Sequence, residues 1–140
     1  MNLAAIIARI ESQVTALKIV GGAAEIAAAS EALAASPAAF VLEELDAAGE
    51  NNVANDTHQR VEVSLSVFLA VKNAKDSRGE AGQSDLETLR LAVRAALLGW
   101  SPAAGIEPLT YTGGELFRFE PGLIWWREGW RTAHYIRSAS

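Results

Sequence analysis

The sequence contains no cysteine, so a disulfide framework, a thiolate nucleophile and a cysteine zinc ribbon are excluded. It has no uninterrupted apolar run of the ~18–20 residues that a membrane-spanning helix needs. Arg9 and Glu11 break its first apolar stretch, which predicts no export signal. A surplus of basic residues is missing too. The net charge is −5, whereas a general nucleic-acid binder needs a basic stripe. There is no G-x-S-x-G elbow, no G-x-G-x-x-G turn and no phosphate loop ending in Gly-Lys-Ser/Thr. His58 and His134 stand far apart without a metal-ligand pattern around either. The neighbouring acids Glu43 and Glu44 point to opposite faces of a strand and cannot work on one bond together. These absences predict a protein that is not an enzyme and holds no metal or cofactor.

What is present is enough for a core. Half of the 140 residues are apolar and 21% are charged, the composition and length of one globular domain spanning residues 1–140. Leu3, Ile6, Ile7, Ile10, Val14 and Leu17 recur on one face of a first amphipathic helix, which Gly21-Gly22 should end. The alanine-rich residues 23–36 fit either a helix or an irregular linker, because alanine favours helix but buries little. Pro37 opens a strand over residues 38–45, and a polar loop follows over residues 46–58. From Val61 to Lys72, apolar residues occupy every second position, the mark of a long strand with one buried face, part of which should project.

A second polar loop is expected over residues 73–83. Ser84-Asp85-Leu86-Glu87 then reads as a capping box opening a second helix, with Leu86, Leu89, Val93, Ala96, Leu97 and Trp100 as its stripe and Gly99 and Pro102 as its end. Residues 109–112, a Gly113-Gly114 turn, residues 115–120, a Pro121-Gly122 turn and residues 123–136 read as a meander of two or three strands. Gly129 within the last strand signals a bulge or the close approach of another backbone. The expected fold is α+β: a mainly antiparallel sheet of four or five strands with two amphipathic helices on one face. The two loops, poor in core-forming residues, are expected to be mobile in a free subunit and to order on joining partners.

Charge and aromatics are unevenly placed. Residues 1–70 hold nine acids and three bases, and residues 71–140 hold eight acids and nine bases. Solvated faces explain this, as do complementary patches between copies of the chain. Trp125, Trp126 and Trp130 crowd the last strand. They are core, or one of them is an interface anchor, since the adjacent Trp125 and Trp126 must face opposite sides of a sheet. An outward indole beside Arg127 and Arg131 offers stacking and a fork of donors to a partner's carboxylates. The two arginines, four apart, share a face with Gly129 between them.

Pro37-Ala38-Ala39-Phe40-Val41, the long strand over residues 59–71, Asp76 and Gly79 in the loop, and Leu98-Gly99-Trp100-Ser101-Pro102 stand in a distinctive order. With Gly114-Glu115-Leu116 and Leu123-Ile124-Trp125-Trp126, this order resembles the tail terminator proteins of long-tailed bacteriophages and prophages. The resemblance covers roughly Ile6 to Arg137, and the Leu-Gly-Trp-x-Pro helix exit is its most distinctive piece. It implies a small α+β subunit of a virion tail, made in the host cytoplasm. It also implies a hexameric ring that caps the tail tube, stops its polymerisation and offers a surface to the head connector. The implied partners are further copies of the chain, the tail tube protein and the head–tail connector protein, with DNA passing through without specific binding and no membrane. No catalytic residue carries over. Glu43, Glu44, Asp46, Glu50 and Asp56 are candidates for a negative surface along the DNA path, against the alternative of ordinary solvated loop charge. Two other readings fit the residues: a dimeric small-ligand module walled by the Trp-rich sheet, and another neck or tube subunit of the same tail.

Overall fold

A computed structural model describes residues 1–72 and 80–138, the side chains of residues 80–83 excepted. In chain order the elements are α1 (Ala4–Gln13), β1 (Ile19–Gly21), α2 (Ala23–Glu31), β2 (Ala38–Ala48), β3 (His58–Lys72), α3 (Glu80–Leu97), β4 (Thr110–Glu120) and β5 (Leu123–Arg137). The strands form one sheet in the order β1-β2-β3-β5-β4. Only the β1–β2 pair is parallel, so the fold is α+β with a mixed, mostly antiparallel sheet.

The period-two pattern of β3 sets the layers. Val61, Val63, Leu65, Val67, Leu69 and Val71 point to one side and are all buried there. Ile6 and Ile10 of α1 and Leu89, Val93 and Leu97 of α3 cover them, joined by Val41, Ile124 and Trp130 from the flanking strands. Burying each such aliphatic side chain stabilises the fold by ~1.5–3 kcal/mol, so this layer dominates its stability. Phe68 and Ala70 point to the opposite side, where they pack with Ala38, Phe40 and Trp125 beneath Ile26 and Ala29 of α2. The alanine-rich stretch is thus a helix over Ala23–Glu31, and among the described residues it is the one helix on the second face.

Several expected boundaries move. Helix α1 stops at Gln13 rather than at Gly21-Gly22, because the β-branched pair Ile19-Val20 is drawn into β1 against Ala38 and Ala39. Helix α3 begins at Glu80, which places Ser84 inside it instead of at its N-cap; Thr88 Oγ1 donates to the Ser84 carbonyl one turn back. The expected loop over residues 73–83 therefore gives up residues 80–83 to the helix, and residues 73–79 lie outside the described residues. Strand β2 runs on to Ala48, so the first polar loop shrinks to residues 49–57. There, Asn51 Nδ2 donates to the carbonyls of Val53 and Asp56, and Asn51 Oδ1 accepts from the His58 N–H.

Gly113-Gly114 is not a turn. Strand β4 runs through it against β5, with register shifts between Tyr111 and Gly113 and between Leu116 and Arg118. The meander is therefore a single hairpin closed by Pro121-Gly122. The Leu98-Gly99-Trp100 exit of α3 is fixed from both sides. The Gly99 N–H donates to the Leu109 carbonyl at 2.9 Å, and the Arg9 guanidinium of α1 sits 5.1 Å from the centre of the Trp100 ring.

Candidate assembly surfaces

Beyond α2 the second face of the sheet changes character. Cross-strand pairing aligns Phe68 with Arg127, Ser66 with Gly129 and Ser64 with Arg131. The face passes from aromatic to charged within one turn of the pleat. Arg127 donates two bonds to the Glu44 carboxylate, at 2.6 and 3.1 Å, and lies 3.8 Å from Glu115. Ser66 Oγ donates to the same Glu44 at 2.6 Å. The Arg127 bonds hold Glu44 below the ordinary carboxylate value, against the pull of partial burial, and Glu44 in turn raises Arg127. Four residues on, Arg131 pairs with Glu62 at 2.9 Å, and Arg60 clasps Glu107 through two bonds of 2.7 and 2.8 Å. Arg127 and Arg131 thus share one face, where Glu44 and Glu62 from the acidic first half of the chain meet them. All of these pairs are partly or fully exposed, and the Arg127–Glu44 pair contributes only ~0.2–1 kcal/mol.

The five candidate interface residues divide between the two faces. Trp125, Arg127 and Arg131 are on the α2 face, while Trp126 and Trp130 are on the α1/α3 face. Trp125 is 2% exposed beneath α2, stacked 5.9 Å from Phe40, and Trp130 is 1% exposed in the main core. Neither indole is outward within the chain, because α2 and the α1/α3 layer cover them. Trp126 is half-buried under Arg90, whose guanidinium lies 4.2 Å from its ring centre.

The acidic candidates divide as well. Alternation along β2 puts Glu44 on the α2 face, while Glu43 accepts from the Met1 ammonium at 3.1 Å on the other; the register shift between Glu43 and Leu45 brings Leu45 to the α2 face as well. Asp46, Glu50 and Asp56 are exposed on the projecting end of the β2–β3 hairpin. Ser138 Oγ and the Thr57 N–H both donate to Asp56 and lower its pKa.

Two features escape a reading of the sequence. The first is Glu128, fully buried on the α1/α3 face. Tyr111 donates to it at 2.6 Å, the Trp126 indole at 3.0 Å and Arg90 at 3.2 Å. Burial works against the Arg90 charge, but the bonds to Tyr111 and Glu128 outweigh it and raise its pKa. Gly114 exists for this cluster. A Cβ there would run into the Glu128 carboxylate and come within 2.8 Å of the Trp126 and Tyr111 polar atoms. Gly129 likewise faces Thr112 and the Gly113 carbonyl, so the close approach it signals is that of the chain's own β4. The second feature is the outer strand itself. Leu116, Phe117 and Phe119 are 54, 57 and 45% exposed, and Leu45 on the far edge of the sheet is 60% exposed. Adjacent apolar residues in one strand were the available signal, since they must occupy both faces.

Among the described residues no cluster of three or more His, Asp or Glu side chains is arranged to hold a metal ion, and no helix is long and apolar enough to cross a membrane. A comparison with curated protein sequences finds no match. The family model described as phage tail terminator protein matches residues 1–140. That match agrees with the resemblance carried by the ordered motifs and covers the alanine-rich stretch as well. The chain belongs to the phage tail terminator family, a family of structural proteins of the virion tail.

Proposed function

We propose that the chain is the subunit of a homomeric ring, six copies as the resemblance implies, that caps the tail tube. The ring ends tube polymerisation and presents the surface to which the head connector joins. Membership of the terminator family over the whole chain carries this reading. Synthesis in the host cytoplasm precedes incorporation into the tail. A closed ring needs two unlike patches per subunit, meeting head to tail. In this reading Arg127 and Arg131 belong to one of them, sharing their carboxylates with a neighbour. Asp46, Glu50 and Asp56, with Glu43 and Glu44 behind them, give the projecting hairpin a negative surface. Placed near the DNA path, it repels phosphates and lets the genome pass unbound.

The test is a phage or prophage deprived of this chain. Tails of unregulated length without heads are expected, and rings in electron micrographs of the purified protein. Normal tails joined to heads in its absence would overturn the reading. One observation favours a small-ligand module instead. A cleft of about 390 Å³ lies beside Arg90 and Trp126, walled by Leu86, Leu116, Phe119 and Ile124. A metabolite co-purifying with monomers or twofold dimers would select that alternative.

A further inference from the structure

The sheet ends in two unlike open edges. On one side β4 is outermost, and among the described residues no strand pairs with its outer edge. On the other side, among the described residues, β1 pairs only with Ala38, Ala39 and Phe40 and leaves the outer edge of β2 open over residues 42–48. Unpaired edges of this kind carry rows of free N–H and C=O groups, and isolated proteins blunt them with lysines, prolines or covering elements. Strand β4 carries Glu115, Arg118, Glu120 and two register shifts, yet it also exposes large apolar side chains. It sets Leu116 and Phe119 on one face and Phe117, in edge-on contact with Phe68, on the other. A cleft lies against it on each side. The cleft described above adjoins Leu116 and Phe119, and a second of about 220 Å³ adjoins Phe117, Phe68, Trp125 and Ile26. An open edge with an apolar cleft on either side is what an added strand requires: backbone bonds from the edge, and alternate side chains into the two clefts.

We infer that the strand added to β4 is β2 of a second copy of this chain, paired through residues 42–48. This rests on the self-assembly proposed above and specifies its contact. Three observations select that occupant. Strand β2 is antiparallel to β3, β3 to β5, and β5 to β4, so β2 and β4 run in opposite senses. A neighbour's β2 laid beside β4 in a continued sheet is therefore antiparallel to it, the stronger ladder. Next, Leu45 shares the α2 face with Phe117, so the exposed leucine of one copy and the exposed phenylalanine of the next fall on the same side. Finally, a single kind of contact satisfies both open edges of every copy. Pairing of β4 with β4 would leave each β2 edge unmet. The contact is heterologous and closes only as a ring.

Two lysine substitutions test this on the full chain, one per edge: Phe117→Lys on β4 and Leu45→Lys on β2. Both positions are exposed, so each variant should keep its circular dichroism and its unfolding midpoint. Masses are read by light scattering over a concentration series. Wild type should form rings, and each variant alone should associate at least tenfold more weakly. An equimolar mixture of the variants should yield a species of two chains and nothing larger, because it retains one intact β4 edge and one intact β2 edge. Rings formed by either variant alone would overturn the pairing while leaving the ring reading intact. A mixture that gives no two-chain species would overturn it as well, since the two edges would then not be each other's partners. A wild type monomeric at every concentration would overturn the ring reading itself, and the pairing with it.

Discussion

On the α1/α3 face of the sheet every inward position of β3 from Val61 to Val71 is aliphatic and buried, whereas the α2 face turns from aromatic to charged halfway along the same strands. The first face is closed by two helices and a buried carboxylate with all its donors supplied. The second is closed only at one end, by a short helix none of whose residues is fully buried. The difference is one of commitment. A face filled with aliphatic side chains has nothing to exchange with a partner except by unfolding. Half-exposed ion pairs contribute little to the fold and can be remade with a neighbour at little cost.

The widest separation between the faces should come from Trp130→Ala, which empties the core of the closed face. A loss of ~3–5 kcal/mol is expected, read as a lower urea midpoint with an unchanged slope. Glu128→Leu comes next. It leaves Arg90, Tyr111 and the Trp126 indole without their acceptor and should cost about 3 kcal/mol by the same measurement. Gly114→Ala should cost ~2 kcal/mol by crowding that carboxylate, and a neutral result would dissolve the account of Gly114. On the open face Arg127→Ala should change stability by less than ~1 kcal/mol while weakening assembly. Ordinary assembly by that variant would remove the arginine pair from the interface.

The smallest effect is one of pH. Arg127 holds Glu44 below the ordinary carboxylate value of 4.5, so the ionised form is favoured in the fold. Its contribution is complete above that value and fades as pH falls through the depressed one. Thermal melts across the acid range should show this decline in the wild type, and Glu44→Gln should flatten it slightly.

What the sequence exposes and what it hides follow from the range of the interactions. Strand β3 was legible because period two is written in consecutive residues, and the shared face of Arg127 and Arg131 followed from a spacing of four. Their partners Glu44 and Glu62 were not legible, since only the register of β2, β3 and β5 brings them near. The face chosen by α2 was hidden because an alanine-rich helix shows no strong apolar stripe. Gly113-Gly114 suggested a turn from local propensity, whereas Gly114 answers a tertiary demand from Glu128. Strand β1, three residues long, exists only because Ala38–Phe40 offers it an edge. The divergence of Glu43 from Glu44 followed from the alternation of a strand, whereas the placing of Leu45 on the α2 face depends on a register shift in β2 that no local signal marks.

The central pairing of β3 with β5 also governs how the molecule comes into being. Its register joins Lys72 to Leu123 at one end and His58 to Arg137 at the other, with α3 and β4 lying between the two strands in sequence. The β2–β3 and β4–β5 hairpins close through short connections and can zip within microseconds. The seam between them must first close a loop of some fifty residues, which slows folding in proportion to its entropy. Until it closes, β3 and β5 both present bare inner edges beside the outer ones, and two copies at this stage can exchange hairpins instead of completing their own sheets. Dilute refolding should therefore favour correct subunits, and high concentration should favour swapped ones.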